Sequence, residues 1–263
     1  MSVQIPAVLA FAASDPTGGA GLQADLLTLA SLGCHPLSVV TGITVQDTRG
    51  VESMVAIETA LVERQARHVL HDIPVAAFKL GVLGSAGNAR AIAAILAEQP
   101  GIPVVLDPVL ASGRGDALAS DATVEALRGA LLPRSSVLTP NSLEARRLAR
   151  AAPGADLASC ARELTNLGCQ YVLVTGTHEE GADVINTLYD ARGAVREDRW
   201  RRLAGSFHGS GCTLASAIAA LLARGMAVEQ AVRQAQEYTW KALEAGFSPG
   251  HGQAIPDRFF GQR

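Results

Sequence analysis

The stretch AVLAFAASDPTGGAGLQADLLTLASLG, Ala7–Gly33, decides the fold class of this chain. An apolar run typical of a strand leads to Asp15, three closely spaced glycines follow, and an apolar pattern of helical period then begins. The same succession recurs along the chain and indicates βα units with a mostly parallel sheet, an α/β fold. The glycines fit neither a Walker A loop nor the GxGxxG spacing. They are explained either by a tight turn or by a close backbone approach to a ligand.

Apolar runs bounded by Gly, Pro and Asp predict strands at Ala7–Ala12, Leu37–Thr44, Ala76–Leu80, Pro103–Leu106, Ser136–Leu138 and Tyr171–Val174. Two polar-apolar segments between Val184 and Trp200 predict an antiparallel hairpin added to this sheet. Helices are predicted at Cys212–Arg224 and Val228–Ala245, divided by Gly225 at a position suited to a helix end. No repeat or linker divides the sequence, so one domain over residues 1–263 is the simplest organisation.

The composition excludes several classes of protein. Hydrophobic residues make up 48% of the chain and aromatic residues 4%, so the core is expected to consist of Ala, Val, Leu and Ile, as in helix-covered parallel sheets. A net charge of −3 argues against nucleic acid or an anionic membrane as a partner. Without a basic leader or a run of about 20 apolar residues, the protein is expected to be cytoplasmic. The four scattered cysteines are expected to be free thiols.

Ligands of open α/β sheets bind beyond the C-terminal ends of the strands, so the loops there are the first places to search. Asp15 in the first loop could close the loop or accept a hydrogen bond from a ligand. Gln46 ends the second apolar run, and its amide offers both a donor and an acceptor, which suits a heteroaromatic ring. The alternative for Gln46 is a solvated turn closed by Gly50.

Asn141 and Glu144 follow another predicted strand and stand three residues apart at the start of a helix. At this spacing both side chains can face one point, and paired oxygens suit Mg²⁺, which takes few protein ligands in addition to phosphates. The same spacing is that of a capping box, in which the two side chains bond to the backbone of their own helix. The residues alone leave both interpretations open.

The segment HGSGCTLASAIAALLARG, His208–Gly225, begins the next helix. Gly209, Ser210 and Gly211 place unpaired backbone N–H groups at the positive end of the helix dipole, where anions bind. A phosphoryl group in transfer carries negative charge on its equatorial oxygens, so this segment predicts an anion hole. The same field is expected to lower the pKa of the Cys212 thiol. Packing of a small residue at a helix start is the alternative for Cys212.

In this order the motifs resemble the hydroxymethylpyrimidine and phosphomethylpyrimidine kinases of thiamine biosynthesis, in the ribokinase-like superfamily. The resemblance spans nearly the whole chain and rests on SDPTGGAGLQADL, VQDTRGV, KLGVLGS, VVLDPV, LTPNSLEA, HGSGCTLASAIAA and GHG. It implies a three-layer α/β/α sandwich, with helices on both faces of a mostly parallel central sheet. It also implies ATP- and Mg²⁺-dependent phosphorylation of 4-amino-5-hydroxymethyl-2-methylpyrimidine, then of its monophosphate to the diphosphate, by a homodimer.

The resemblance further implies roles for individual residues. The glycine-rich helix start, Gly209 to Gly211, forms the anion hole, and Cys212 stands where most ribokinase-like enzymes have an aspartate base. The positions that contact the pyrimidine are Gln46, Ala13, Asp15, Ala20 and Val109. The positions that contact ATP are Asn141, Thr175, Gly176 and Arg114. The positions in the magnesium region are Glu144 and, as a second candidate, Asp107.

The chain departs from the family pattern at several places. Thr175 stands where a phosphate-contacting lysine is expected, and Gly113 lies in the loop that usually carries another, with Arg114 as the replacement. Ser206 and Phe207 replace a common Asn-Thr pair. The monophosphate is the more anionic acceptor, so the second phosphorylation is the step expected to depend most on these cations.

Two other functions remain open at this point. A pyridoxal or pyridoxine kinase of the same superfamily would perform the same chemistry on another acceptor. A non-catalytic pyrimidine or nucleotide sensor would bind the ring without consuming ATP. A nucleotide-binding dehydrogenase is excluded by the absent GxGxxG motif and the lack of an acidic residue at the required distance.

Overall fold

The computed structural model describes residues 5–111, 115 and 118–262, and within them nine strands form one sheet. The strands are β1 (Ala7–Ser14), β2 (His35–Gln46), β3 (Val51–Ala56), β4 (Ala77–Leu80), β5 (Val104–Leu106), β6 (Val137–Leu138), β7 (Tyr171–Thr175), β8 (Asp183–Asp190) and β9 (Gly193–Arg201). Their order across the sheet is β3-β2-β1-β4-β5-β6-β7-β8-β9.

The centre of the sheet is parallel and its two ends are antiparallel. β1, β2, β4, β5, β6 and β7 run in one direction, β3 pairs antiparallel with β2, and β8 and β9 form an antiparallel hairpin beside β7. The central strands are short and apolar because helices cover them on both sides. β1 illustrates this, since all of its residues except Ser14 are buried.

The described part of the chain forms eight α-helices, of which the first six lie between strands and the last two follow β9. They are α1 (Gly21–Ser31), α2 (Thr59–Asp72), α3 (Ala86–Ala97), α4 (Asp121–Ala126), α5 (Ser142–Ala149), α6 (Leu157–Asn166), α7 (Ser210–Ala223) and α8 (Val228–Glu244). Among them, no helix is both long and apolar enough to cross a membrane.

Two hydrophobic clusters, one on each face of the sheet, hold the helices in place. Val8 and Val105 point to one face, where they pack with buried residues of α1, α7 and α8. Leu9 and Leu106, one position further along the same strands, pack on the opposite face with α2 to α6. Since neighbouring side chains of a strand alternate between faces, the sheet is the middle layer of three. The expected three-layer α/β/α sandwich is confirmed.

Most of the predicted elements are confirmed with small shifts at their ends. α7 begins at Ser210, two residues before the predicted start, and Gly225 ends it with φ +83° as expected. The strand β3 was not predicted. Its sequence VESMVA mixes polar and apolar residues because it lies at the edge of the sheet, where several of its side chains are exposed.

Candidate active site

The site lies at the C-terminal edge of the parallel strands, where the strand order reverses. β1 has β2 on one side and β4 on the other, and ligands of open α/β sheets bind in the crevice at such a reversal. The β1–α1 loop and the start of α7 meet there. Gly209 has φ +82°, and a Cβ built on it would overlap the carbonyl oxygen of Gly19. Only glycine fits this position, because both the backbone conformation and the close approach exclude a side chain.

The β1–α1 loop is organised around the buried carboxylate of Asp15. Its oxygens accept hydrogen bonds from the backbone N–H groups of Thr17, at 2.8 Å, and Ala20, at 2.7 Å. His208 Nε2 lies 2.8 Å from Asp15 Oδ2. Burial raises the pKa of Asp15, but the hydrogen bonds from His208, Thr17 and Ala20 together outweigh it and lower the pKa. Asp15 therefore closes the loop as an ionised group.

Gln46 ends β2 and is linked to the β1–α1 loop through a histidine. Gln46 Nε2 lies 3.1 Å from His208 Nε2, the same nitrogen that contacts Asp15. The chain then turns, with Asp47 N–H donating to the Gly50 carbonyl, and returns as β3. The expected turn is present, and it also carries Gln46 to the site. His208 was not among the predicted site residues, because a single histidine in a loop has no signal of its own in the sequence.

The first turn of α7 has the features of the predicted anion hole. The helix begins after Gly209, no side chain caps it, and the N–H groups of the first turn have no partner inside the helix. A Cβ built on Gly211 would lie 3.7 Å from both carboxylate oxygens of Asp107, so this carboxylate faces the helix start from the end of β5. The backbone N–H donors of the first α7 turn thus lie beside the buried carboxylate of Asp107.

The expected lowering of the Cys212 pKa is wrong. Burial raises the pKa of the thiol to about 12, and the nearby carboxylates of Asp107 and Asp25 add to this effect, while the Lys79 ammonium opposes it. The field of a helix terminus is small compared with the cost of forming a thiolate at a buried position. Cys212 is a protonated thiol at neutral pH.

Behind Cys212 lies a buried group of charges, which we call the Lys79 cluster: Lys79, Asp25, Asp107 and Cys212. Lys79 Nζ lies 2.7 Å from Asp25 Oδ1, and both side chains are 0% exposed. Burial lowers the pKa of Lys79, but the nearby carboxylates of Asp25 and Asp107 outweigh it and raise the pKa, so the amine is protonated. Burial raises the pKa of Asp107 to about 6. Lys79 and Asp25 were not among the predicted site residues. The only signal was a lysine inside an apolar run.

Asn141 and Glu144 form a complete capping box at the start of α5. Asn141 Oδ1 accepts from the Glu144 N–H at 2.9 Å, and Glu144 Oε2 accepts from the Asn141 N–H at 3.0 Å. Glu144 Oε1 also accepts from the Leu110 N–H, at 3.2 Å. Burial and the charge of Asp107 raise the pKa of Glu144 to about 8. The capping interpretation is confirmed, and the carboxylate of Glu144 still lies close enough to Asp107 to feel its charge.

The remaining predicted residues surround this centre. Ala13 and Ala20 flank Asp15, and Val109 follows Asp107, with its N–H donating to the Asp107 carbonyl at 2.9 Å. Thr175 ends β7 and bridges to Asn141. Arg114 lies outside the described residues. Contacts thus connect the β1–α1 loop, the start of α7, the end of β5 and the capping box, although these segments are far apart in sequence.

Gly176, a predicted ATP-contacting position, has its backbone N–H engaged within the protein. Its N–H donates to Asn186 Oδ1 at 3.1 Å, and a Cβ built on it would overlap the carbonyl oxygen of Ile185. This N–H is therefore used within the protein, and the glycine is needed for the close packing of the loop against β8. In the described part of the chain, no three His, Cys, Asp or Glu side chains come together as a metal site, so the expectation of Mg²⁺ rests on Asp107 and Glu144.

Known proteins resemble this chain over almost its whole length. A sequence model of the phosphomethylpyrimidine kinase family matches residues 15–257. The hydroxymethylpyrimidine/phosphomethylpyrimidine kinase of Streptomyces coelicolor is 41% identical over 253 residues, which cover 94% of this chain and 92% of that protein. The matched range includes the β1–α1 loop, the capping box and the start of α7.

Solved structures resemble the fold equally well. The ADP complex of Bacillus subtilis pyridoxal kinase superposes with a TM-score of 0.90 at 27% sequence identity, covering 98% of this chain and 99% of that one. The phosphomethylpyrimidine kinase of Clostridium difficile superposes with a TM-score of 0.79 at 30% identity, covering 91% of this chain and 100% of that one. These similarities confirm the expected ribokinase-like fold.

Proposed function

Because this chain belongs to the phosphomethylpyrimidine kinase family, we propose that it uses ATP to phosphorylate 4-amino-5-hydroxymethyl-2-methylpyrimidine and then its monophosphate, in thiamine biosynthesis. The observation that supports phosphoryl transfer is the position of the start of α7. The uncapped start of α7 lies against both the β1–α1 loop and the carboxylate of Asp107. Such a site offers N–H donors to the transferring phosphoryl group and carboxylate oxygens to a cation.

Cys212 is the proposed catalytic residue. With a pKa of about 12, its thiol is protonated at rest and cannot be a preformed base. The thiol hydrogen-bonds the carboxylate of Asp107, whose pKa of about 6 leaves it ionised at neutral pH. We assign a relay: the sulfur accepts the proton of the attacking hydroxyl while the thiol proton passes to an oxygen of the transferred phosphoryl group. The amides of the first α7 turn hold the oxygens of the transferring phosphoryl group.

Mg²⁺ is proposed to bind between Asp107 and Glu144. Asp107 Oδ2 is buried and has no hydrogen-bond partner among the described residues. Burial and, after it, the charge of Asp107 raise the pKa of Glu144, and a hard cation would favour the ionised form of both carboxylates. The residues present therefore fit the ion. When bound, Mg²⁺ supplies positive charge to the phosphate oxygens of ATP.

ATP is proposed to lie over the end of β7, beside Thr175, Gly176 and Asn141. The Gly176 N–H and Asn141 Oδ1 already serve the protein, so the Thr175 hydroxyl and the NH₂ group of Asn141 are the groups left for the nucleotide. Arg114 remains part of the proposal as a phosphate-contacting cation. Thr175 lacks the charge of a lysine, so we expect weaker binding of the phosphates at this position.

Gln46 is proposed to recognise the pyrimidine ring. Asp15 is ionised, so His208 must donate its Nε2 proton to it, and the same nitrogen cannot accept a hydrogen bond from the Gln46 amide. We therefore assign the Gln46 amide with its oxygen and nitrogen exchanged, so that the oxygen accepts from His208 and the NH₂ group remains for a ring nitrogen of the acceptor. Ala13, Ala20 and Val109 supply apolar contacts in this proposal.

Replacement of Gln46 by leucine tests this assignment. We expect the KM for the pyrimidine to rise about tenfold or more, because the ring nitrogen would lose its partner at a cost of about 1–3 kcal/mol, while kcat changes little. Gln170→Leu, at an exposed glutamine on the opposite edge of the sheet, is the control. An unchanged KM in Gln46→Leu would remove Gln46 from the acceptor site.

The function itself is tested by ADP release from purified protein with ATP and Mg²⁺, comparing three acceptors: the hydroxymethylpyrimidine, its monophosphate and pyridoxal. Turnover of both pyrimidines is the expected result. Turnover of pyridoxal alone would favour the second candidate, a pyridoxal kinase, which the TM-score of 0.90 to the Bacillus subtilis enzyme supports. Binding of the pyrimidine without ADP release would favour the sensor.

Cys212→Ala is expected to lower kcat about 100-fold, because general acid–base catalysis contributes at least this factor. The matched control is Cys169→Ala. Its thiol is also buried, with burial raising its pKa to about 12, but it donates to the Tyr171 carbonyl at the other edge of the sheet. This variant is expected to keep its turnover. Near-native turnover in Cys212→Ala would show that the sulfur carries no proton in the reaction.

We also propose that residues 1–263 form one kinase domain and that the protein works as a homodimer. One sheet with both faces covered supports the first point. For the second, Ile43, Val45 and Val55 of the β2–β3 hairpin are exposed apolar side chains at the edge of the sheet. A single unfolding transition and a dimer mass in sedimentation experiments are the expected results.

A further inference from the structure

The segment after α8 returns to the active site. The Asp257 N–H donates to the Ala242 carbonyl, and the Tyr238 hydroxyl donates to the Arg258 carbonyl at 2.8 Å. The ring of Phe260 packs against Tyr238, with 5.5 Å between the ring centroids. Helix α8 therefore fixes the backbone of this segment, and the side chain of Arg258 enters the protein beneath the β1–α1 loop.

The guanidinium of Arg258 joins the two halves of the proposed site. Nη2 donates to the Gly19 carbonyl at 2.6 Å and Nη1 donates to the Gly18 carbonyl at 3.4 Å, both in the β1–α1 loop. Nε donates to Thr213 Oγ1 at 3.1 Å, in the first turn of α7. Arg258 is only 3% exposed. A planar fork of donors can hold three acceptors at fixed angles, which a lysine cannot do.

Arg258 contacts the β1–α1 loop at the point where Gly19 lies directly against Gly209, at the start of α7. Nη2 lies 3.0 Å from the position of a Cβ built on Gly209, and this Cβ would overlap the Gly19 carbonyl oxygen that Arg258 binds. The guanidinium thus holds the Gly19 carbonyl against the first residue of the proposed anion hole. Any movement of the loop relative to α7 must break its hydrogen bonds.

We propose that Arg258 is a positioning residue, which sets the spacing between the acceptor-binding β1–α1 loop and the phosphoryl-binding start of α7. The inference rests on the proposed function. The inference adds to the proposed function that the C-terminal segment takes part in the transfer step. A small misplacement of the reacting groups lowers the rate of transfer strongly, whereas the nucleotide-binding groups at β7 do not touch Arg258.

The kinetic test uses Arg258→Lys and Arg258→Ala. We expect kcat to fall about 10- to 100-fold in both, while the KM for ATP changes less than about twofold. Free guanidinium at millimolar concentration is expected to restore part of the turnover of Arg258→Ala and to leave Arg258→Lys unaffected. Arg224→Ala, at the exposed end of α7, is the control and should match the unaltered protein. If folded Arg258→Lys and Arg258→Ala both transfer phosphate at the original rate, the proposal is overturned.

A second measurement does not depend on turnover. Amide hydrogen exchange is expected to speed up at residues 15–21 and in the first turn of α7 of Arg258→Lys, with α8 unchanged. If no acceptor is phosphorylated but exchange speeds up in this way, the proposed function fails and the link made by Arg258 stands. If the unaltered protein is an active kinase and exchange in the variant does not change, the function stands and the inference fails.

Discussion

Replacement of Gly209 by alanine is expected to lower the rate of phosphoryl transfer by about three orders of magnitude or more. Gly209 has φ +82°, a conformation that costs an L-residue about 1–2 kcal/mol. The new methyl group would also overlap the Gly19 carbonyl oxygen, so the loop and the helix must separate. Loss of one well-placed oxyanion donor alone costs about 100- to 1,000-fold, and this change displaces the whole first turn.

Gly225→Ala is the matched control for this experiment. Gly225 has nearly the same φ, +83°, at the other end of α7, but a Cβ built there has no atom within 4 Å. It should lose about 1 kcal/mol of unfolding free energy and keep its kcat. Both variants strain the backbone, but only Gly209→Ala also brings a methyl group against a carbonyl oxygen, so the comparison separates the two effects. If Gly209→Ala kept more than about a tenth of the activity, the start of α7 would not be the anion hole.

Replacement of Lys79 by methionine is expected to lower the free energy of unfolding by about 3–5 kcal/mol, measured by urea denaturation. The ammonium and the Asp25 carboxylate are 2.7 Å apart and both 0% exposed. The substitution would leave Asp25, and Asp107 beside it, as buried carboxylates without a cation. Combined replacement, Lys79→Met with Asp25→Asn, should recover part of the loss, because it removes the charge left without its partner.

Lys241→Met is the control, since Lys241 and Glu237 are also 2.7 Å apart but are 49% and 44% exposed. Loss of this pair should cost no more than about 0.5 kcal/mol, because water and salt screen it. The two pairs have the same distance and differ in burial. A cost for Lys79→Met as small as that for Lys241→Met would mean that the Lys79 cluster is not held together by its charges.

Much of the fold follows from local patterns. The six predicted strands, the hairpin and the two last helices are present, because an apolar run of period two or a stripe of period 3.6 is sufficient to specify each element. β3 was missed because an edge strand does not need an apolar sequence. The glycines were enough to predict an uncapped helix start at Gly209 to Gly211, since unpaired N–H groups are a property of every helix start.

The sequence by itself determined the α/β class and offered the capping box at Asn141 and Glu144 as one of two interpretations, because each depends on residues close together in the chain. The protonation states of the buried groups depended on the tertiary structure alone. Burial between β5 and α1 raises the pKa of Cys212 against the expectation from the helix dipole. Likewise, Arg258 meets Gly18 across 240 positions of sequence. Burial and long-range contacts arise only when distant elements pack, and so local patterns could not reveal them.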